Sequence, residues 1–310
     1  MGPYELRPLS LGELLDRAFA LYRRNFWLFA GIMIVPACLV VPAQAYYLRS
    51  NGLRIPWQPG SPQPHSTAFA FGLIFANWFI YAFAHSATTY AVADAYLGRA
   101  ATVRGSYGRI RGHFWRIIGV SLNVGFRVFG LMLLLVFGAA AAGGALVGAT
   151  RGAIPTAVAG LLVLLLVLSA FALSVAFALR YALSLPALLI EEIKGSASIR
   201  RSVLLSDERR GQIFLAILLG LLLIYAVALL FQGPFYAAVA ITRITGHLPI
   251  WMAIAMSVSG AIGGAIAGPV LMIILVIFYY DARIRKEAFD LQQMMASLPE
   301  ANPAASASPA

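Results

Sequence analysis

Six long apolar runs, near residues 26–48, 68–93, 117–149, 154–179, 213–242 and 250–280, alternate with short stretches that hold nearly all the charge. Each run reaches or exceeds the ~20 apolar residues that carry an α-helix across a bilayer. The pattern predicts an all-α fold: a six-helix polytopic membrane bundle, forming one domain over 1–298.

Ahead of the first run the period changes. Ser10 and Glu13 stand at capping-box spacing, and Leu9 and Leu14 at that of a hydrophobic staple. On a helical projection Leu11, Leu14, Leu15, Ala18, Phe19, Leu21 and Tyr22 share one arc, and Glu13, Asp16, Arg17, Arg23 and Arg24 share the other. An amphipathic helix over 9–25 that feeds directly into a span, with arginines on its polar face, is expected to lie in the cytoplasmic membrane interface. A weaker copy follows at 102–116, with Val103, Tyr107, Ile110 and Phe114 on one face, and Phe114 with Trp115 echoes Phe26 with Trp27. Residues 198–214 form a third, poorer copy. The expectation is a threefold internal repeat, each unit an interfacial helix plus a transmembrane hairpin.

Three further segments complete the pattern. Residues 49–67 are Pro-rich and polar and read as an irregular cap. Residues 281–298 predict a helical extension of the last span, with Asp281–Arg285, Arg283–Glu287 and Lys286–Asp290 as i,i+4 pairs. Its stripe of Ile284, Ala288, Leu291, Met295 and Leu298 suits the membrane surface or a partner helix. The segment 299–310, small and Pro-rich, reads as a disordered tail.

Composition removes the soluble alternatives. The 310 residues are 61% hydrophobic and 11% charged, against about 45–50% and 25% for a soluble domain. Of the 23 basic residues, all but Arg49, Arg54, Arg151, Arg243 and Arg127 fall on one side of the six-span arrangement. By the positive-inside rule both termini are cytoplasmic. The 12 acidic residues share that side, which places the polar chemistry there. Because the basic residues flank spans and no base-reading module accompanies them, no nucleic-acid partner is expected. Cys38, alone and inside the first span, excludes an intrachain disulfide. Glu5, Glu13 and Asp16 ahead of a long span argue against a cleavable signal, and Leu6 against myristoylation.

Candidate chemistry is sparse. Gly144, Gly148 and Gly152, and Gly260, Gly264 and Gly268, form ladders that let helices approach closely within or between chains. Pro36, Pro42, Pro234 and Pro269 are expected to kink or break their helices, as packing features or as the frame of a transport site. Asn77, His85, Asn123, Arg127 and Gln232 lie in apolar surroundings and are the candidate intramembrane polar site. Arg127 stands about 16 Å beyond Arg116 at helical rise; it either lines a cavity or snorkels to headgroups. Asp94 and Arg180, each closing a span at the cytoplasmic edge, suggest an ion pair. Glu191 and Glu192 read as a solvated pair. His65, His85, His113 and His247 show no metal-ligand spacing, and neither catalytic residues nor a cofactor is expected. Arg17, Arg23, Arg24, Arg109, Arg111, Arg116, Arg283 and Arg285 form an arginine collar suited to lipid headgroups.

The opening Arg7-Pro8-Leu9-Ser10-Leu11-Gly12-Glu13 with Tyr22-Arg23-Arg24-Asn25-Phe26, and the closing Tyr279-Tyr280-Asp281 with Arg283, Arg285, Lys286 and Glu287, resemble a bacterial membrane family. It is the glycerophosphoryl diester phosphodiesterase membrane domain family. Arg180-Tyr181, Pro186, Glu191, Arg201-Ser202 and Leu205 are similar to its third characteristic region. The resemblance implies a stand-alone membrane domain in the cytoplasmic membrane, without the ~250-residue catalytic barrel that such phosphodiesterases append. Two functions are therefore expected: a non-enzymatic, lipid-interacting scaffold or regulator, with a homo-oligomer or membrane partner possible; or a transporter or lipid-handling protein built around the intramembrane polar residues. A membrane-embedded hydrolase ranks third.

Overall fold

The computed structural model describes residues 7–50, 64–149, 153–242 and 249–288, and the regular structure among them is entirely helical. In order these are α1 (Leu11–Arg24), α2 (Phe26–Ser50), α3 (Pro64–Tyr96), α4 (Val103–Ile110), α5 (Phe114–Gly125), α6 (Leu131–Ala149), α7 (Ala153–Tyr181), α8 (Ser184–Ile190), α9 (Gly195–Ser206), α10 (Arg210–Thr242) and α11 (Ile250–Glu287). A 3-10 turn at Arg111–His113 joins α4 to α5, and a π-helical turn at Phe126–Gly130 joins α5 to α6. Five stretches among the described residues are long and apolar enough to cross a membrane: Phe26–Tyr46, Val103–Ala145, Ala157–Ile190, Arg210–Ile241 and Ile250–Glu287. The protein is an all-α, multi-pass membrane-helix bundle.

The run at 68–93 lies in α3, which is 33 residues long and carries Asn77, His85, Ser86, Thr88 and Thr89. The three hydroxyls bond back to carbonyls of their own helix, Ser86 to Ala82, Thr88 to Ala84 and Thr89 to His85, at 2.8–2.9 Å. This satisfies them inside an apolar packing face. The end of α2 meets the start of α3 where Tyr46 and Phe69 pack edge to face at 5.8 Å, so the two helices run antiparallel. A second hairpin joins α10 to α11, with Val239 on Met252 at the turn end. There Ser259 donates to the Phe231 carbonyl at 2.6 Å.

Burial is concentrated at one end of the bundle, here called the base. There the ends of α3, α7 and α11 and the start of α10 converge with α1, α4, α8 and α9. Leu9, Leu14, Leu21, Tyr96, Leu183, Leu205, Tyr279 and Tyr280 are almost wholly shielded in it. α1 departs from expectation. Its cap forms as the spacing predicts: Glu13 N–H donates to Ser10 Oγ at 3.3 Å, and Ser10 N–H donates to the Glu13 carboxylate at 2.8 Å. Its apolar face, however, does not look to lipid; Leu14, Ala18 and Leu21 are buried against the rest of the base. Phe19, at the margin of that arc, is 44% exposed.

The helices do not break at their prolines: α2 continues through Pro36 and Pro42, α10 through Pro234 and α11 through Pro269. α11 ends at Glu287, and Ala288 takes the left-handed conformation (φ 50°) that closes it. The rest of the anticipated 281–298 extension, including the Lys286–Asp290 pair, and the 299–310 tail lie outside the described residues.

Candidate functional site

The three stretches that carry the sequence resemblance meet in the base, and their charged groups close on one another. Asp281, 1% exposed, is the first hub. One carboxylate oxygen accepts the backbone N–H of Leu9 at 2.7 Å, and the other takes a short ion pair from Arg209. Arg285, one turn along α11, adds its Nε at 3.2 Å and donates through Nη2 to the Leu9 carbonyl at 2.6 Å. Arg209 also covers the ring of Phe278 at 4.7 Å. The segment before α1 is thereby tied to the end of α11 at both its backbone N–H and its C=O.

Glu191 is the second hub. The guanidinium of Arg201 lies 2.9–3.0 Å from its carboxylate, Arg283 approaches to 3.5 Å, and the Tyr279 hydroxyl donates to it in a short bond. Glu287 closes the circuit, taking Arg201 and, at 3.2 Å, Arg283. Serine hydroxyls brace the adjoining turn: Ser202 donates to the Arg180 carbonyl at 2.8 Å and accepts the Leu183 N–H at 3.2 Å. Lys286 donates to the Leu204 carbonyl at 2.8 Å, near the end of α9. Glu191 is thus not a solvated surface group. Nothing local in the sequence signals this, because its partners lie 10, 88 and 92 positions away in the chain. The anticipated Asp94–Arg180 pair is also replaced. Asp94 takes Arg109 at 2.9 Å, and that guanidinium lies 4.2 Å from the centroid of Tyr90, while Nε of Arg180 is buried with no hydrogen-bond partner.

The collar arginines separate into two sets. Arg283, Arg285 and Arg109 are committed to the ion pairs above, and Arg17 donates to the Tyr96 hydroxyl at 3.2 Å. Arg23, Arg24, Arg111 and Arg116 are exposed, Arg116 reaching the Glu192 carbonyl at 3.4 Å. Beside them stand Trp27 and Trp115, 83% and 79% exposed, each edge to face with the preceding phenylalanine at 5.3 and 5.2 Å.

The intramembrane candidates occupy separate places. Asn77 lies in a groove of about 320 Å³ between α2 and α3, with Gln44 and apolar side chains, and its Oδ1 is buried without a partner. His85 packs near Tyr81, its Nδ1 likewise unpartnered. Gln232 sits on α10 against Gly260 and donates to the Met256 carbonyl at 3.4 Å. Asn123 is exposed. Arg127 lies in the π-helical turn, bonded to the Tyr181 hydroxyl at 3.2 Å, which places it level with the base end of α7. Of the glycines, Gly260, Gly264 and Gly268 face Gln232, Tyr81 and Met33 of three different helices. Gly144 and Gly148 have nothing near them, their neighbour Gly143 meeting Val163 instead, and Gly152 lies outside the described residues. Among the described residues no group of three or more His, Cys, Asp or Glu is placed to hold a metal ion.

Comparison with family models, curated proteins and solved structures finds no match to this chain.

Proposed function

We propose that the chain is a lipid-interacting membrane scaffold or regulator of the kind its end motifs suggest, resembling the membrane domain of glycerophosphodiester phosphodiesterases. It crosses the cytoplasmic membrane six times, α3 being the sixth span, with both termini inside. α3 is antiparallel to α2 and long enough, at about 50 Å, to return the chain across a ~30 Å hydrocarbon core. The threefold repeat fits the order of short helix then hairpin in α1–α3, α4–α7 and α9–α11, and the matching Phe26–Trp27 and Phe114–Trp115 pairs support its first two copies. One observation carries the reading: Asp94, Glu191, Asp281 and Glu287 are taken up in internal ion pairs, while Arg23, Arg111 and Arg116 stay exposed beside Trp27 and Trp115. Aromatic rings with neighbouring cations suit the headgroup layer, and each cation near an anionic surface is worth roughly 1 kcal/mol.

The test is thermal unfolding of purified protein in nanodiscs with and without anionic phosphatidylglycerol. Wild type gains stability from the anionic lipid, and Arg23→Gln/Arg24→Gln/Arg111→Gln loses most of that gain while keeping its melting point in neutral discs. Equal gains in both proteins overturn the reading. A transporter or lipid-handling role has one observation in its favour, the α2–α3 groove with the unpartnered Asn77 amide oxygen. Asn77→Leu would then abolish uptake in vesicles.

A further inference from the structure

At the elbow between α1 and α2 the surface opens into a groove of about 660 Å³, lined by Asp16, Phe19, Ala20, Tyr22, Arg23 and Phe26. Asp16, Phe19, Ala20 and Arg23 recur at helical spacing, so they form one stripe along α1, away from the buried face of Leu14, Ala18 and Leu21. The groove holds one carboxylate and one guanidinium, both on exposed residues. Among the described residues neither side chain makes a hydrogen bond or ion pair, whereas the neighbouring Glu13 is taken by Arg7 and Arg17 by Tyr96. Two helical turns, about 10 Å, separate their backbones, and a long helical side chain leans toward the N-terminus, which carries Arg23 back toward Asp16. The other end of the groove is Phe26, the first residue of a membrane-spanning stretch. The site therefore sits where headgroups are.

The geometry points to a binding site for a zwitterionic, amine-bearing glycerophospholipid of the phosphatidylethanolamine class. Its phosphate sits on Arg23, its primary ammonium on Asp16 and its glycerol and upper acyl chains against Phe19 and Phe26. The opposed charges match the opposed charges of that headgroup and mismatch a purely anionic one, which would face Asp16 with no cation to offer. The aromatic wall, with Phe19 44% exposed, gives the acyl chains a surface that a free headgroup would not use. This assignment rests on the lipid-interacting reading above and names the lipid class for one part of it.

The experiment titrates the full-length protein in detergent with short-chain phosphatidylethanolamine or phosphatidylglycerol and reads bound lipid by native mass spectrometry. Wild type prefers the ethanolamine lipid by about fivefold, the worth of one exposed ion pair. Asp16→Asn brings the ratio to about one by weakening ethanolamine binding alone, Asp16→Glu keeps the preference, and Arg23→Gln weakens both lipids. Soluble glycerophosphoethanolamine does not compete. A preference unchanged in Asp16→Asn, or no preference in wild type, overturns the assignment while the nanodisc experiment separately decides the scaffold reading. Binding of neither lipid leaves the groove to some other occupant and overturns it as well.

Discussion

α11 and α7 are both long apolar helices, yet 67% of the apolar window in α11 is buried inside the protein and only 11% of that in α7. α11 is surrounded, and its last turns carry Tyr279, Asp281, Arg283, Arg285 and Glu287 into the two hubs. α7 presents Leu161, Leu164, Leu165 and Leu168 outward, each about half exposed. In lipid a leucine gains nothing by leaving the acyl chains for another helix, so apolar content alone does not hold α7 in place. Toward the aqueous side burial again releases water, at about 25 cal/mol per Å², and ion pairs add direction. This fold is therefore specified from its base, with the membrane arms secured by close packing at a few points.

The largest expected effect comes from truncating one residue in each of the two regions. Asp281→Ala leaves Arg209 and Arg285 facing a buried void and releases the Leu9 N–H; removing one partner of a buried pair typically costs about 3–5 kcal/mol. Leu165→Ala, on the lipid face of α7, should stay within about 0.5 kcal/mol. Unfolding of both variants in the same detergent measures the difference, and equal losses would refute a base-centred fold. A middle-sized effect separates two adjacent glycines of α6. A methyl on Gly143 would overlap Val163 of α7, whereas one on Gly144 meets open space. Gly143→Ala is expected to destabilise by about 1–3 kcal/mol. Gly144→Ala should be neutral, or stabilising by up to about 1 kcal/mol through helix propensity, and reversal of that order would mean that α6 seats on α7 in a different register.

The same contrast divides what the chain spells out locally from what only its folding brings together. The apolar runs form the long helices because a run of that length has few other solutions in a bilayer, and the Ser10–Glu13 cap forms because both partners are local. Glu191 looks in the sequence like half of a solvated pair, since adjacent acids with no nearby arginine carry no other signal, and only the return of α11 brings Tyr279 and Arg283 to it. Asp94 finds Arg109 rather than Arg180, since periodicity places residues at a membrane edge without saying which helices adjoin there. Spacing leaves Arg127 open between two depths, and its tie to Tyr181 at the base end of α7 is a contact across 54 residues. The face of α1 is legible in the sequence but its neighbour is not: the same amphipathic stripe serves lipid or protein, and here Leu14 and Leu21 meet protein.

The smallest expected effect tests how much the base leans on a purely local device, the cap of α1. Glu13 accepts hydrogen bonds from Arg7 and from Ser10, and together these hold its carboxyl well below the ordinary range, at about 2. A carboxylate whose folded-state value is depressed contributes stability that is fully present above its unfolded value near 4.5 and is lost as the pH falls toward 2. Ser10→Ala should cost about 1 kcal/mol at neutral pH, the usual worth of an N-cap side chain. Glu13→Gln should lower the melting point slightly at pH 7, and the two curves should converge between pH 4.5 and 2. Because α1 is also pinned at Leu9 by Asp281 and Arg285, neither change should release it from the base. If either variant instead exposes α1 to proteolysis at neutral pH, the cap rather than the buried ion pair sets the position of the first helix, and the contrast between base and arms rests on a local signal after all.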